Sequence, residues 1–267
     1  MALDTCGPGS EDVAVYGPPL SLAYRFVAWW LEPLLRALTK HEWHGLEHLP
    51  RDRGFVAAPN HMSYYDPMVM ALFLYANGFP PFYLAKEAML RVPLLGQLLR
   101  KSGQIPVYRG SGLATQAYRD AVTEVRRGRC VVVYPEGTLT RDPDLWPMRG
   151  KTGAARIALE TKCPVIPVAQ WGAQEVMQRY TKRLRVFPRK TVYVLAGPPV
   201  ALDDLYDRPI DAALLAEATD RIMAALTSGV EVLRGQTAPA VRFDPRRHGV
   251  SEIGDFTKDV APQADSA

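Results

Sequence analysis

The sequence predicts an α/β fold with a central, mostly parallel sheet that helices cover on both faces. Two apolar runs without polar alternation, 54–58 and 130–134, are typical of strands buried on both sides. Helical patterns separate such runs, as at 112–127, where alanine and valine recur on one side. A polar cluster follows each of the two runs, at the strand ends where open α/β sheets hold their sites.

The elements alternate in order along the chain. Residues 19–39 carry large apolar side chains at helical spacing and predict one or two amphipathic helices. From Trp43 onward, short apolar runs predict strands, and longer patterns with apolar residues on one side predict helices. We expect strands at 54–58, 82–85, 105–108, 130–134, 165–170 and at 186–187 and 191–196 as one strand or a pair. We expect helices at 67–77, at 88–101 in one or two pieces broken at Pro93 and Gly96, and at 112–127, 152–161 and 210–234.

Length and composition fit one large domain or one domain with appendages. The chain has 267 residues and is 48% hydrophobic, enough for a sizeable core. The net charge is +4, and basic and acidic residues are mixed along most of the sequence. This distribution does not indicate nucleic-acid binding. Cys6, Cys130 and Cys163 are scattered and have no metal-ligand spacing, so we expect reduced thiols and no metal site.

The two ends of the chain are expected to differ from the body. Residues 1–17 are polar and glycine-rich and predict a disordered N-terminus without a signal peptide, and residues 236–267 predict a flexible C-terminal tail. No run is long and apolar enough to span a bilayer. Segment 18–42 carries Trp29 and Trp30 among basic residues, which is typical of a helix lying at a membrane surface. The alternative is a helix that packs on the protein's own core.

A histidine and an aspartate stand together after the first apolar run. His61 precedes Asp66 by five positions, and an apolar helical pattern begins directly after Asp66. We expect Asp66 in or near the first helical turn and His61 on the loop before it. The loop can then fold back so that the carboxylate binds one ring nitrogen and leaves the other as a general base. The alternative is that Asp66 only caps the helix and His61 is an ordinary loop residue.

Four short motifs in order resemble those of the glycerolipid acyltransferase family, whose best-known members are the lysophosphatidic acid acyltransferases. They are Asn60-His61-x-x-x-x-Asp66, Gly103–Arg109, Tyr134-Pro135-Glu136-Gly137-Thr138 and Val165–Val168. The resemblance covers about residues 45 to 200, so residues 43–235 are interpreted as the acyltransferase domain. It implies that His61, oriented by Asp66, deprotonates the lysophospholipid hydroxyl, which then attacks an acyl thioester.

The resemblance also implies substrate-binding positions. Arg109 is the expected phosphate ligand, and Lys86 at a strand end is a further cation. Gly137 and Thr138 are expected to offer backbone N–H donors. A carboxylate repels phosphate, so Glu136 is expected to contact a substrate hydroxyl or to hold its loop.

One departure from the family pattern affects the acceptor. Leu139 stands where the family commonly has arginine, so either Arg141 reaches the phosphate or the head-group pocket differs. Lysophosphatidic acid remains the first expectation. Another lysophospholipid, a glycolipid or glycerol 3-phosphate is the alternative acceptor, and a catalytically silent lipid-binding protein is an alternative of a different class.

The expected partners follow from this chemistry. They are a lysophospholipid, an acyl thioester on coenzyme A or acyl carrier protein, and the membrane surface. No resident cofactor is expected. The expected location is the cytoplasmic face of the cell membrane, with the protein bound peripherally.

Overall fold

The computed structural model describes residues 17, 19–86, 97, 101–102, 104–107, 113–181 and 183–252. The expected disorder of 1–17 and nearly all of the helical stretch predicted at 88–101 lie outside these residues. Its helices are α1 (Leu22–Leu38), α2 (Asp66–Ala76), α3 (Leu113–Arg126), α4 (Gly153–Thr161), α5 (Ala173–Val176) and α6 (Ala212–Arg234). Its strands are β1 (Thr39–His44), β2 (Phe55–Pro59), β3 (Pro81–Lys86), β4 (Ile105–Val107), β5 (Cys130–Val132), β6 (Val165–Trp171) and β7 (Lys190–Ala196).

The described strands form one sheet in the order β1-β7-β6-β2-β5-β3-β4. Every neighbouring pair is parallel except β6 and β7, which run antiparallel. The prediction of a mostly parallel sheet is therefore confirmed. Strand β2 lies between β5 and β6, so its carboxyl end opens at the middle of the sheet, where the polar cluster 60–66 follows.

Helices cover both faces of this sheet. In β2, Val56 and Ala58 pack into the cluster formed with α3, α4 and α6, whereas Phe55 and Ala57 pack into the cluster around α2. All four side chains are 0–1% exposed. Such two-sided burial explains why the strand sequence is apolar without alternation.

Helix α1 presents apolar side chains on two opposite faces. Tyr24, Ala28 and Leu35 are buried against the domain. The other face exposes Leu22, Phe26, Trp29, Trp30 and Leu34, each by more than half of its surface. Among the helices in the described part of the chain, none is long and apolar enough to cross a membrane.

Two element boundaries differ from those expected. The segment 39–42, expected to continue the N-terminal helices, instead begins strand β1, which pairs in parallel with β7 from Thr39 to His44. Residues 186–187 are not a strand, and β7 alone covers Lys190–Ala196. At 39–42, hydrogen bonding to the distant strand β7 decides the structure, and local apolar spacing does not reveal it.

The described part of the C-terminal tail lies against the domain, contrary to the prediction of a loose tail for 236–267. The backbone N–H of Arg149 donates to the Phe243 carbonyl at 2.9 Å, and Arg141 Nε donates to the Ser251 carbonyl at 3.0 Å. The polar composition suggested a solvated tail, but polar residues also serve to hold a segment through hydrogen bonds. We refer to residues 243–252 as the C-terminal strap.

Candidate active site

The loop between β2 and α2 is fixed by an amide pair at the centre of the sheet. Asn60 Nδ2 donates to the Gln170 carbonyl, and the backbone N–H of Gln170 donates to Asn60 Oδ1 at 2.8 Å. Gln170 Nε2 in turn donates to the Asn60 carbonyl at 2.7 Å. Both residues are buried, so these bonds satisfy groups that would otherwise be costly, and they hold the chain where it leaves the sheet.

His61 and Asp66 form the pair that their spacing predicts. His61 Nδ1 lies 2.9 Å from Asp66 Oδ2, with Asp66 at the start of α2 and His61 on the preceding loop. The Asp66 side chain is 0% exposed and that of His61 13%. Because Asp66 uses Nδ1, Nε2 is the ring nitrogen left to take up a proton.

A single carboxylate oxygen of Asp66, Oδ2, accepts all of its hydrogen bonds. Oδ2 also accepts from the backbone N–H groups of Met62 at 2.6 Å and Ser63 at 2.8 Å, while Oδ1 has no hydrogen-bond partner among the described residues. Burial raises the pKa of the Asp66 carboxyl, whereas the His61 ring and the two backbone donors favour the anion. Asp66 thus orients the ring and holds the loop before the helix, whereas the N-cap position belongs to Tyr65.

Tyr134 packs on the His61 ring. The two ring centroids are 4.2 Å apart and the rings are tilted by 32°. Tyr134 follows strand β5, and the sequence analysis read it as part of a motif and not as a site residue. Tyr134 follows an apolar run, as His61 does, and this shared position was the signal available in the sequence. The contact between the two rings could not be predicted, because it requires that β5 lie next to β2 in the sheet.

Glu136 holds two loops together. Its side chain is fully buried; Oε1 accepts the His61 backbone N–H at 2.9 Å and Oε2 accepts the Met148 N–H at 3.0 Å. Burial raises the pKa of Glu136 to about 8, although these two bonds lower it. These contacts match the loop-holding role, one of the two that the sequence left open.

Three more residues were expected near the phosphate, Gly137, Thr138 and Arg141, and the structure gives each a different environment. The Gly137 N–H donates to the Tyr134 carbonyl at 3.0 Å, so it has a partner within the loop, and its expected role as a donor to substrate stays a prediction. Arg141 is 1% exposed, and its Nε donates to Ser251 of the strap, so a phosphate has no open approach to it. Thr138 is buried and lines a cavity beside Glu136.

Two expected cations cannot be placed. Arg109 lies outside the described residues. Lys86 ends strand β3, as predicted, but its side chain is outside the described part of the structure. Their roles stay predictions.

Comparison with known proteins finds a similarity over the region that holds this site. The sequence profile described as Acyltransferase matches residues 40–171, a range that contains His61, Asp66 and Glu136. Over this range, which is just under half of the 267 residues, the chain is similar to acyltransferases.

Two curated relatives and one solved structure show the similarity. A 1-acyl-sn-glycerol-3-phosphate acyltransferase of Borreliella burgdorferi is 33% identical over 46% of this chain and 48% of its own length. A lyso-ornithine lipid O-acyltransferase of Pseudomonas aeruginosa is 34% identical over 55% of this chain and 54% of its own length. The chain thus spans about half the length of these relatives. The crystal structure of the 1-acyl-sn-glycerophosphate acyltransferase PlsC from Thermotoga maritima shares the fold, with a TM-score of 0.59 and 23% identity over 81% of this chain and 83% of that one.

Proposed function

We propose that this protein transfers a fatty acyl group from a thioester carrier to the free hydroxyl of lysophosphatidic acid, giving phosphatidic acid. The observation that carries the proposal is the His61–Asp66 pair, 2.9 Å apart at the carboxyl edge of the sheet, within the matched region. A partly exposed imidazole held by a buried carboxylate is the arrangement that activates an alcohol.

The reaction needs one base and no acyl-enzyme. His61 Nε2 takes the hydroxyl proton as the acceptor oxygen attacks the thioester carbonyl. The tetrahedral intermediate then collapses, the carbon–sulfur bond breaks, and the imidazolium returns the proton to the leaving thiolate. The Asp66 carboxylate stabilises the imidazolium between these two steps. Tyr134 limits the tilt of the ring through its face contact.

A lysolipid with a different head group is the alternative acceptor. Leu139 stands where the family commonly has arginine, and it is 3% exposed. This position therefore supplies no cation for a phosphate group. The relative named a lyso-ornithine lipid O-acyltransferase carries out its named reaction on an acceptor of another head group. The same base serves either acceptor, because the hydroxyl chemistry is unchanged.

The exposed face of α1 supports binding to a membrane surface. Both substrates carry acyl chains, and the face that shows Trp29 and Trp30 is turned away from the domain. The basic segment 183–190 is attached to the end of this helix: Arg189 Nη2 donates to the carbonyls of Arg36 and Thr39. Its cations suit anionic lipid head groups, so the proposed location is the cytoplasmic face of the membrane.

The donor is proposed to be an acyl thioester of coenzyme A or acyl carrier protein, with no resident cofactor. The test is transfer of a labelled acyl group from acyl-CoA to lysophosphatidic acid, glycerol 3-phosphate and other lysolipids, with His61→Ala as the control variant. Transfer to lysophosphatidic acid that His61→Ala abolishes supports the proposal. Transfer to a different acceptor moves the head-group assignment and keeps the chemistry. If acyl-CoA and acyl carrier protein both fail with every acceptor, the silent lipid-binding alternative is favoured.

A further inference from the structure

A cavity of about 220 Å³ lies next to the Glu136-Gly137-Thr138 motif and is closed on one side by the C-terminal strap. The motif contributes Glu136 and Thr138, and the strap contributes Arg246 and Glu252. The remaining wall is the segment 148–152, which leads into helix α4. Motif, helix start and strap therefore meet at one place.

The cavity is lined by cations. Arg149, Lys151 and Arg246 all contribute to its wall, and each side chain keeps about half or more of its surface exposed. Helix α4 begins at Gly153 directly beside them, and its N-cap Thr152 makes no side-chain capping bond. The first N–H groups of a helix add partial positive charge, so the cavity favours an anion.

A carboxylate of the protein already uses this positive field. Glu252 Oε1 lies 2.6 Å from Arg246 Nε, and Oε2 lies 3.4 Å from Lys151 Nζ. These cations hold the pKa of Glu252 below its usual range. Two other acids lie nearby. Glu136 lines the cavity, and its two oxygens accept from the backbone N–H groups of His61 and Met148. Asp244 lies 3.8 Å from Arg149, one of the three lining cations, and 4.0 Å from Arg247.

The position of Lys151 depends on the motif. Its backbone N–H donates to the Pro135 carbonyl at 2.7 Å. A Cβ at Gly137 would lie 2.9 Å from Lys151 Cδ, so the lysine stem packs directly on that glycine. Gly137 has a φ of 68°, which also favours glycine. This packing explains the motif glycine without a substrate contact at its N–H.

The cavity is coupled to the catalytic histidine through one side chain. Glu136 lines the cavity, and its two oxygens bind the backbone N–H groups of His61 and Met148. The Glu136 side chain therefore stands between a group bound in the cavity and the loop that carries His61.

We propose that this cavity binds a phosphate group of a substrate, and that Glu252 occupies its place when substrate is absent. The proposal rests on the proposed acyl transfer and names a phosphate site within it. The phosphate can belong to the acceptor head group or to the acyl carrier, since both present the same chemistry. The Glu252 side chain then leaves the cavity when phosphate enters, while the rest of the strap keeps its contacts with Arg141 and Arg149.

Binding of inorganic phosphate to the full chain, followed by isothermal titration calorimetry, tests the site without requiring activity. Glu252→Gln removes the competing carboxylate and should tighten phosphate binding about fivefold, and Lys151→Met should weaken it by a similar factor. The matched control is Asp207→Asn, which removes one partner of the exposed Lys162–Asp207 pair and should leave phosphate binding unchanged. Unchanged binding in both cavity variants, with melting temperatures like the parent's, would overturn the proposal.

Kinetics then separate the two sources of phosphate. If the acceptor supplies it, Glu252→Gln lowers the KM for lysophosphatidic acid and leaves that for acyl-CoA unchanged. If the carrier supplies it, the KM for acyl-CoA falls instead. Phosphate binding that responds to the variants while no acceptor is acylated would keep the anion site and refute the proposed function. If acyl transfer occurs but phosphate binding does not respond to the cavity variants, the proposed function stands and the phosphate site is refuted.

Discussion

Replacing Asp66 by asparagine separates the charge of this residue from its role in orienting His61. In the structure Oδ2 accepts three donors, His61 Nδ1 and the N–H groups of Met62 and Ser63, whereas Oδ1 accepts none among the described residues. An asparagine can place its carbonyl oxygen where Oδ2 lies. The reverse orientation would point its NH₂ group at two backbone donors 2.6 and 2.8 Å away, which strongly disfavours it.

The asparagine variant should therefore keep the loop, the ring orientation and the tautomer with a proton on Nδ1. It loses the negative charge that stabilises the imidazolium and leaves a buried NH₂ group at the former Oδ1 position. We expect kcat to fall about 100-fold, and stability to fall by about 1–3 kcal/mol because of that unpaired group. Asp66→Ala also releases the two backbone N–H groups, so it should cost more stability.

The assay is acyl transfer to the acceptor identified in the panel, with thermal unfolding of each variant as the check on folding. His61→Ala is the reference, because it removes the general base itself and should lower kcat by about 10,000-fold, the upper end for such a group. The expected order of kcat is parent, Asp66→Asn, then His61→Ala. The reasoning fails if the folded Asp66→Asn variant keeps full activity, or if it is as inactive as His61→Ala.

Three further predictions concern other parts of the molecule. Burial raises the pKa of Glu136 from 4.5 to about 8, so the folded state binds the extra proton between these values and the parent should lose stability as pH rises through them. Against Glu136→Gln, urea unfolding should show a relative loss of about 3 kcal/mol from pH 5 to pH 8, and parallel stabilities would contradict the shift. The double change Trp29→Ser and Trp30→Ser should reduce sedimentation with anionic vesicles about tenfold at unchanged melting temperature, since both rings are over 60% exposed; undiminished sedimentation would exclude this face as the contact. Gly54→Ala should lower stability by about 2 kcal/mol or more in thermal unfolding, because its Cβ would lie 2.0 Å from the Val125 carbonyl oxygen, and a normal melting temperature would show that the backbone yields there.

The order and type of the elements could be read from the sequence because burial leaves local traces. The runs at 54–58 and 165–170 are apolar since both faces of the sheet are covered, and strands β2 and β6 lie there. Strand β1 was not predicted, because its first residues, Thr39-Lys40-His41-Glu42, are polar. The strand lies at the edge of the sheet, and pairing with β7 is what makes it a strand. An edge strand needs no apolar run, so its sequence carries little signal.

The candidate site divides in the same way. The His61–Asp66 contact could be predicted because both residues belong to one loop, and a five-residue spacing limits how they can meet. The Tyr134 ring contact and the bonds between Asn60 and Gln170 join segments from three different strands, and only the strand order brings them together. The strap was missed because its bonds to Arg141 and Arg149 involve backbone carbonyls, which any sequence provides.

Burial at positions 139 and 141 bears on how the acceptor is recognised. If the head group were read by a cation directly after the Glu-Gly-Thr motif, that position would have to face the substrate, yet Leu139 is 3% exposed and Arg141 1%. Along the same loop, the cations that remain accessible are Arg149 and Lys151, and these line the cavity beside Glu136. If the acceptor supplies the phosphate that we propose for this cavity, its head group is expected at the segment before α4 and not at the motif itself. A variant that restores arginine at position 139 should consequently destabilise the domain through burial of a charge, without improving the use of phosphate-bearing acceptors.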